Sequence, residues 1–148
     1  MSSRRGQPTV VGWREWVALP ELGMSAIEAK VDTGARSSSL HVSKLKLREE
    51  DGRQIASFVV HPAQHHSKPQ VAAEAEILEF RSIKSSNGQT NRRPVILTHL
   101  VILGQTHLIE ITLTSRDAMG FRMLLGRQAL RRHFIVDPGR SYLSGKPS

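Results

Sequence analysis

The apolar residues of this chain recur mostly with a period of two, which is the period of β-strands. Seven segments are β-branched or alternating, and each is bounded by Gly, Pro, Asn, Asp or Ser: TVVGWREWVALP, SAIEAKVD, SLHVSKLKLRE, QIASFVVH, VAAEAEILEFRSI, PVILTHLVIL and HLIEITL. Successive side chains of a strand point to opposite faces of a sheet, so each such segment can bury one face against a core. The pattern predicts an all-β domain.

Short turn sequences separate these segments. Three of them are predicted to close hairpins: Asp51-Gly52, Asn87-Gly88 and Leu103-Gly104-Gln105. Asp-Gly and Asn-Gly readily adopt the positive φ angles that tight hairpin turns require. One short helix is predicted in GRQALRRHF, beginning after Gly126 and ending where FIVDPG resumes an extended pattern.

The length of the chain, 148 residues, suits one domain with a sizeable core. We expect this domain over residues 11–143, between a flexible N-terminal segment at 1–10 and a flexible tail at 144–148. The absence of Cys excludes disulfides, thiol nucleophiles and cysteine-based zinc sites. No segment approaches the roughly 18 apolar residues of a membrane helix, so we expect a soluble cytoplasmic protein.

The chain is basic, with 21 Lys and Arg against 13 Asp and Glu and a formal charge of +8. This charge favours anionic partners such as nucleic acid, a membrane surface or an acidic peptide. A basic β-barrel that binds nucleic acid therefore stays open as an alternative. Only 5% of the residues are aromatic, whereas single-strand binders usually place aromatic side chains among basic ones, and this argues against it.

The stretch KVDTGARSSSL, residues 30–40, places Asp32 directly after an apolar segment. Asp-Xaa-Gly sequences are common in ordinary turns, so the tripeptide alone does not identify a site. A loop held between strands would, however, fix a catalytic carboxylate more tightly than a free turn could. Gly34 lacks a Cβ atom, which would let another backbone or a water molecule come close.

A second motif, FRMLLGRQAL at residues 121–130, favours a catalytic loop over an ordinary turn at Asp32. The chain resembles the retropepsin-like aspartic proteases in the order of its features. A strand leads into Asp-Thr-Gly-Ala, a long β-rich segment follows, and two apolar residues then precede Gly-Arg and a helix. The chain is most similar to a family of small bacterial proteins often named ATP-dependent zinc proteases or RimK-associated proteins. The shared stretches are VDTGARSSSLH, SSNGQTNRRPVI, LTSRDAM and LLGRQAL…FIVD, and the resemblance covers Val11 to Leu143.

The resemblance implies a closed acid-protease barrel in which Asp32 is catalytic. It implies that the substrate contacts the same loop, at Thr33, Gly34, Ala35 and Arg36. It implies further substrate contacts from a flap, at Asn87, Gly88, Arg92 and Arg93. A second motif near the C-terminus, Leu125, Gly126 and Arg127, has a structural role in the family. Two carboxylates must share a proton in this chemistry, and the sequence has a single Asp-Thr-Gly. A C2 homodimer with Asp32 and its mate at the axis is therefore expected. The other aspartates considered, Asp51, Asp117 and Asp137, are interpreted as turn or strand-end residues.

The resemblance also assigns the hairpin at Asn87-Gly88 as a mobile flap over the site, with arms at roughly 78–84 and 89–97. Such a flap excludes water and adds backbone hydrogen bonds to an extended peptide. Its basic residues include Arg81 and Lys84 besides the two arginines named above. A solvated basic hairpin without substrate contact is the alternative.

One departure from the family pattern concerns Arg36. Viral retropepsins commonly have an acidic residue there, which can pair with the arginine of Gly-Arg, so Arg127 must find another partner or face solvent. Arg36 beneath a basic flap favours acidic side chains in the substrate, because guanidinium groups bind carboxylates bidentately. Relatives are associated with RimK-type ATP-grasp glutamate ligases, so a glutamate-rich peptide is the expected substrate and such a ligase a possible functional link.

Motifs for a metal or a nucleotide are lacking. A zinc protease of the zincin type needs His-Glu-x-x-His, and ATP binding in a P-loop needs Gly-x-x-x-x-Gly-Lys-Ser/Thr, neither of which occurs. The cluster His61, His65 and His66 is interpreted as a polar loop, with adventitious or regulatory metal binding as the alternative. We expect no metal and no cofactor.

Two further features have plain structural interpretations. Ser37 to Ser39 lie outside any G-x-S-x-G elbow and are expected to make local hydrogen bonds rather than to act as a nucleophile. Trp13 and Trp16 are interpreted as apolar anchors in the first strand or at the dimer contact, with a stacking platform as the alternative.

Overall fold

The computed structural model describes residues 7–61, 70–84, 88–115 and 121–145. The strands in these parts are β1 Thr9–Gly12, β2 Arg14–Leu19, β3 Met24–Val31, β4 Ser38–His41, β5 Ser43–Glu50, β6 Arg53–Val60, β7 Val71–Lys84, β8 Thr90–Ile102, β9 Gln105–Thr114, β10 Met123–Leu125 and β11 Phe134–Asp137. A 3-10 turn spans Pro20–Leu22, and the helix α1 spans Arg127–Leu130. The prediction of an all-β fold is confirmed. Asn87, His65, His66 and Asp117 lie outside the described residues.

Six strands form a closed barrel in the order β2, β3, β10, β4, β9 and β8. The pairing of Ala18 in β2 with Val101 in β8 closes the ring. From β8 the sheet continues outward through β7, β6 and β5, while β1 and β11 pair in parallel as a separate two-stranded sheet. The closed retropepsin-type barrel expected from the resemblance is therefore present.

The core lies inside the barrel and is built from aliphatic side chains. Its fully buried members include Leu19, Ile27, Leu40, Ile96, Leu100, Ile111, Leu113, Met123 and Leu125. Each contributes roughly 1.5–3 kcal/mol by leaving water. The buried positions alternate with exposed ones along most strands, as the period of two predicts. No helix within the described ranges is long and apolar enough to cross a bilayer.

Tight turns close the hairpins at two of the predicted sites. Asp51 and Gly52 have φ angles of 52° and 78°, and Leu103 and Gly104 have φ angles of 51° and 76°. Positive φ at both central residues gives the turn a twist that matches the two strands it joins. At the third site β7 and β8 pair up to Lys84 and Thr90, so the predicted hairpin arms are paired.

The helix is shorter than the sequence predicts. It ends at Leu130, and Arg132 adopts a left-handed conformation with φ 73°. The His133 N–H donates to the Leu130 carbonyl, and the chain then enters β11 in register with Thr9 of β1. The pairing of β11 with β1 therefore outweighs the helix propensity of residues 131–133.

The two tryptophans pack as anchors near the chain ends. Trp13 meets Phe121 edge-on, with ring centroids 6.0 Å apart, and Trp16 stacks on Tyr142 at 5.9 Å. The Arg14 guanidinium lies over both the Trp13 and the Tyr142 rings. The contacts of Arg14 and Trp16 with Tyr142 hold the segment after β11 against β2.

Candidate active site

The loop Asp32–Arg36, called here the Asp loop, begins where β3 ends. The Val31 N–H donates to the Trp13 carbonyl at 2.8 Å, and the Asp32 N–H donates to the Leu125 carbonyl at 2.9 Å. Because β3 runs parallel to β10, the start of the Asp loop is tied to the segment Leu125–Arg127, called here the Gly-Arg motif. The structure therefore brings together two motifs that lie far apart in the sequence.

The Asp loop and the Gly-Arg motif cross in close contact. A Cβ atom on Gly126 would lie 2.5 Å from the Ser37 carbonyl carbon, so glycine is required at this crossing. The Arg127 N–H donates to the Ala35 carbonyl at 2.8 Å, and the Gln128 N–H donates to the Arg36 carbonyl at 3.1 Å. The backbone of the loop is thus held on both sides of the contact.

Ser38 completes the crossing, although sequence reasoning did not single it out. Its side chain is buried, and its Oγ accepts a hydrogen bond from the Gly126 N–H at 3.1 Å. The sequence predicts local hydrogen bonds for the serine run, whereas this bond joins Ser38 to a residue 88 positions away. The nearest sequence clue was the spacing of Ser38 two residues before Leu40, which puts both on the buried face of the alternating strand.

The Asp32 side chain is half-buried at the head of its loop. Its Oδ1 accepts a hydrogen bond from the Gly34 N–H at 2.9 Å, which gives the carboxylate a defined orientation. A Cβ atom on Gly34 would lie 3.2 Å from the same oxygen, tighter than ordinary contact. A fixed and partly solvated carboxylate of this kind can accept a proton from water or share one with a second acid.

Arg127 contacts the Asp loop through its side chain as well. Its Nη1 donates to the Gly34 carbonyl at 3.3 Å and, more weakly, to the Thr33 carbonyl at 3.4 Å. Both carbonyls belong to exposed residues of the loop. The arginine that lacks an acidic neighbour at position 36 therefore uses backbone oxygens as partners.

A cleft of about 800 Å³ separates the Asp loop from the β7–β8 hairpin. Its lining residues come from the loop and β4, from the hairpin, and from β9 and α1: Ala35, Arg36, Ser37 and Ser39; Arg81, Ser82, Ile83, Lys84 and Arg93; Glu110, Thr112 and Gln128. Four of them are cationic and one is anionic. The cleft therefore carries an excess of positive charge.

The cations of the cleft differ in their contacts. Arg81 forms ion pairs with Glu79 and, at 3.0 Å, with Glu110. The hydrogen bonds that Arg81 donates to Glu79, and next to Glu110, raise the pKa of Arg81. Arg36 and Lys84 form no ion pair with any described residue.

Arg92 and Arg93 face opposite sides of the β7–β8 hairpin. Arg93 pairs with Arg81 across the strands and lines the cleft, whereas Arg92 places its guanidinium 4.9 Å from the centre of the Phe80 ring. Successive side chains of a strand point to opposite faces, so Arg92 and Arg93 are separated in this way. Of the two substrate contacts predicted here, Arg93 lies at the cleft and Arg92 lies on the other face. Gly88, with φ 87°, ends the hairpin in open space.

The remaining sequence candidates lie elsewhere. His61 bonds to the Ser43 hydroxyl at 3.2 Å, and the described residues contain no group of three or more His, Cys, Asp or Glu arranged for a metal. Asp51 lies in its hairpin turn, and the Asp137 carboxylate accepts a hydrogen bond from the Gly139 N–H within a turn, as predicted.

Solved and curated proteins resemble this chain over nearly its whole length. The crystal structure of a Legionella pneumophila protein of unknown function (DUF785) superimposes with a TM-score of 0.77 at 26% identity, covering 93% of this chain and 99% of that one. Proteins named probable alpha-L-glutamate ligase are 42% identical over 137 residues in Shewanella pealeana and 43% over 136 residues in Parasynechococcus marenigrum. The chain spans 30% and 29% of the length of these two relatives.

The profile of one family, described as RimB-like, retropepsin-like aspartic endopeptidase RimB, matches residues 10–147. This range contains the Asp loop, the β7–β8 hairpin and the Gly-Arg motif. It also spans the whole barrel. The chain belongs to the RimB-like family of retropepsin-like aspartic endopeptidases.

Proposed function

We propose that the protein hydrolyses peptide bonds with a water molecule held between Asp32 and the Asp32 of a second copy. The main support for this proposal is the defined position of the Asp32 carboxylate. It accepts a hydrogen bond from the Gly34 N–H, and its loop is held in place by hydrogen bonds from the Gly-Arg motif.

In the reaction one carboxylate takes a proton from the water as it attacks the peptide carbonyl. The other, protonated, donates to the carbonyl oxygen, which gives a tetrahedral diol. The first carboxyl then returns its proton to the peptide nitrogen while the second takes a proton from a diol hydroxyl. The C–N bond breaks, and the amine and the new carboxylic acid leave without a covalent enzyme intermediate.

A second copy is needed because one chain supplies one Asp-Thr-Gly. Two carboxylates that meet at a two-fold axis cannot both be ionised, so the pair holds one proton over a range of pH. A bell-shaped pH profile of cleavage is the expected signature.

The two-stranded sheet offers a surface for such a dimer. Val10 in β1 and Ile135 in β11 are direct neighbours across the strands, and both are exposed, at 41% and 53%. Apolar side chains on a two-stranded sheet are poorly covered within one chain, and a C2 interface lets one patch cover its own copy. We therefore place the dimer contact at this sheet.

Acidic peptides, glutamate-rich ones in particular, are the proposed substrates. Arg36, Lys84 and Arg93 line the cleft beside the Asp loop, and Arg36 and Lys84 have no carboxylate partner among the described residues. Carboxylates of a substrate would satisfy Arg36 and Lys84. The names of the relatives, probable alpha-L-glutamate ligase, support a functional link to such a ligase.

The β7–β8 hairpin is proposed to act as the flap. Its described arms border the cleft through Arg81, Ser82, Ile83 and Lys84 on one strand and Arg93 on the other. A hairpin in this position can add backbone hydrogen bonds to an extended peptide and exclude water from the bond being cleaved.

Cleavage of a mixed peptide library that includes glutamate-rich members, followed by mass spectrometry between about pH 4 and pH 8, tests the proposal. Wild type should cleave with and without chelator, and Asp32→Asn should not cleave. Asp51→Asn is the matched control, because it removes the same charge from a turn where Asn also tolerates positive φ. Cleavage that persists in Asp32→Asn, or that chelator abolishes, would refute the aspartic mechanism.

A non-catalytic peptide-binding module of the same fold is the second candidate. It is favoured by the relatives named as ligases, since this chain corresponds to only a part of their length. A binding module would bind acidic peptides in the wild-type and Asp32→Asn proteins alike and would cleave none of them.

A further inference from the structure

A second cavity, of about 570 Å³, lies next to the cleft. It is formed by β9, from Thr106 to Glu110, and by α1 with the turn that follows it. Glu110 and Gln128 line both the cleft and this cavity. The two spaces therefore adjoin at these two side chains, and they are called here the groove.

The second cavity has mostly polar walls, and Arg131 is its one permanent cation among the described residues. Arg131 and His133 contribute from the turn after α1, and His107 contributes from β9. Glu110 is its one carboxylate, and it is already held by Arg81 at 3.0 Å. Arg131 has no ion pair within the part of the chain that the structure describes. The cavity therefore offers an unmatched guanidinium to an anion.

We infer that the second cavity is a distal subsite for the acidic chain that occupies the cleft, with Arg131 as its carboxylate-binding residue. A substrate in extended conformation would run from Arg36 and Arg93, over the exposed Gln128, to Arg131. Successive carboxylates on one chain would then meet cations at both ends of the groove. This subsite rests on the proposed function for its substrate class, but not on cleavage itself.

The inference predicts that affinity rises with peptide length. An extended chain advances about 3.3 Å per residue, so about four residues cover roughly 13 Å and about ten cover roughly 33 Å. The longer peptide has more carboxylates that can contact both cavities at once. A carboxylate held by one half-exposed arginine should improve the dissociation constant about two- to fivefold.

The test measures fluorescence anisotropy of labelled oligoglutamates of about four and about ten residues, bound to the uncleaving Asp32→Asn protein at constant ionic strength. In that background Arg131→Gln should remove the gain from length and leave binding of the short peptide unchanged. Arg140→Gln is the matched control, since it removes the same charge from an exposed side chain outside both cavities. The gain from length should survive in the control.

Two results would overturn the subsite: an equal loss in both variants, which would show general attraction between charges, or the absence of any gain from length in the parent protein. Thermal unfolding of Arg131→Gln checks that the variant folds, and the backbone hydrogen bond from Arg131 to Arg127 is kept in it. Arg131→Lys should restore part of the gain if charge at this position matters. Cleavage by wild type is scored separately, so failure of hydrolysis and failure of the subsite are distinguishable.

Discussion

At the scale of single residues, the site depends on a few atoms that hold the Asp loop in place. Gly126 permits the crossing, Ser38 accepts its N–H, and Arg127 binds two loop carbonyls. None of these residues touches the Asp32 carboxylate in these contacts. Each positions the loop that carries it, so stability and rate should respond differently to their replacement.

Gly126→Ala should strongly destabilise the fold. The added Cβ would lie 2.5 Å from backbone atoms of Ser37, which cannot move without breaking the crossing. We expect a loss of about 2–3 kcal/mol in the free energy of unfolding, measured by urea denaturation. Gly52→Ala, at φ 78° in open space, is the comparison and should cost only about 1 kcal/mol. Equal losses in both variants would contradict the steric explanation.

Arg127→Gln should lower the rate of cleavage more than it lowers stability. The side chain is exposed, and its two long hydrogen bonds should contribute less than about 1 kcal/mol to unfolding. Release of the Thr33 and Gly34 carbonyls loosens the loop that orients Asp32, so kcat should fall about tenfold with KM little changed. Steady-state kinetics and thermal unfolding, with Arg140→Gln as control, separate the two effects. An unchanged kcat would contradict a positioning role.

At the scale of elements, strand alternation decides which side of the β7–β8 hairpin each cation occupies. Arg93→Gln should lower kcat/KM for acidic peptides about three- to tenfold relative to neutral peptides. Arg92→Gln removes the same charge from the opposite face, where it lies over Phe80, and should leave the ratio unchanged. Competition between an acidic and a neutral peptide in one reaction measures the ratio directly. A similar change of this ratio in both variants would contradict the conclusion that only one face of the hairpin contacts the substrate.

The contact between β9 and the β1–β11 sheet should be sensitive to acid. The His107 and His133 rings lie 4.2 Å apart, and Gln105 links the His107 Nε2 to the Thr9 hydroxyl through bonds of 2.9 and 2.7 Å. The charged groups facing the pair are Glu110 and Arg131, which line the same cavity. Burial first, and the neighbouring His133 second, lower the pKa of His107.

The sign of this pH dependence follows from linkage. Because the pKa of His107 is lower in the folded than in the unfolded state, its neutral form is favoured by folding. The full contribution is present above the unfolded value of about 6.5 and is lost as the pH falls from there toward the lowered folded value. Urea denaturation between about pH 7.5 and pH 5 should show falling stability, with a smaller slope in His107→Gln. An identical slope in the two proteins would contradict this origin.

At the scale of the whole molecule, the proposed dimer decides whether a site exists at all, since one chain has one Asp loop. Val10→Lys with Ile135→Lys should convert a dimer to a monomer, measured by sedimentation, and abolish cleavage in parallel, because two charges would be buried on each side. Leu47→Lys replaces an equally exposed side chain on β5 and should change neither property. A wild-type monomer, or a monomeric variant that still cleaves, would refute the two-copy site.

The all-β class could be predicted because its causes are local, whereas closure of the barrel was expected only from the resemblance to the retropepsin-like proteases. Period-two burial, Asp-Gly and Leu-Gly turns with positive φ, and a single short helix follow from residues close together in the chain. The Asp-Thr-Gly and Gly-Arg motifs were recognisable for the same reason, since each is a short local pattern whose order along the chain is characteristic. What was missed locally is β10, which at three residues is too short to show a period.

The sequence by itself therefore determined the all-β class, the positions of most strands and the identity of Asp32 as the candidate catalytic acid. Only the tertiary structure decided that Ser38 and Arg127 brace the Asp loop, that Arg93 rather than Arg92 lines the cleft, and that Gln128 lines both the cleft and a second cavity. Local patterns depend on neighbours in the chain, whereas these contacts join residues from distant segments whose positions depend on closure of the barrel.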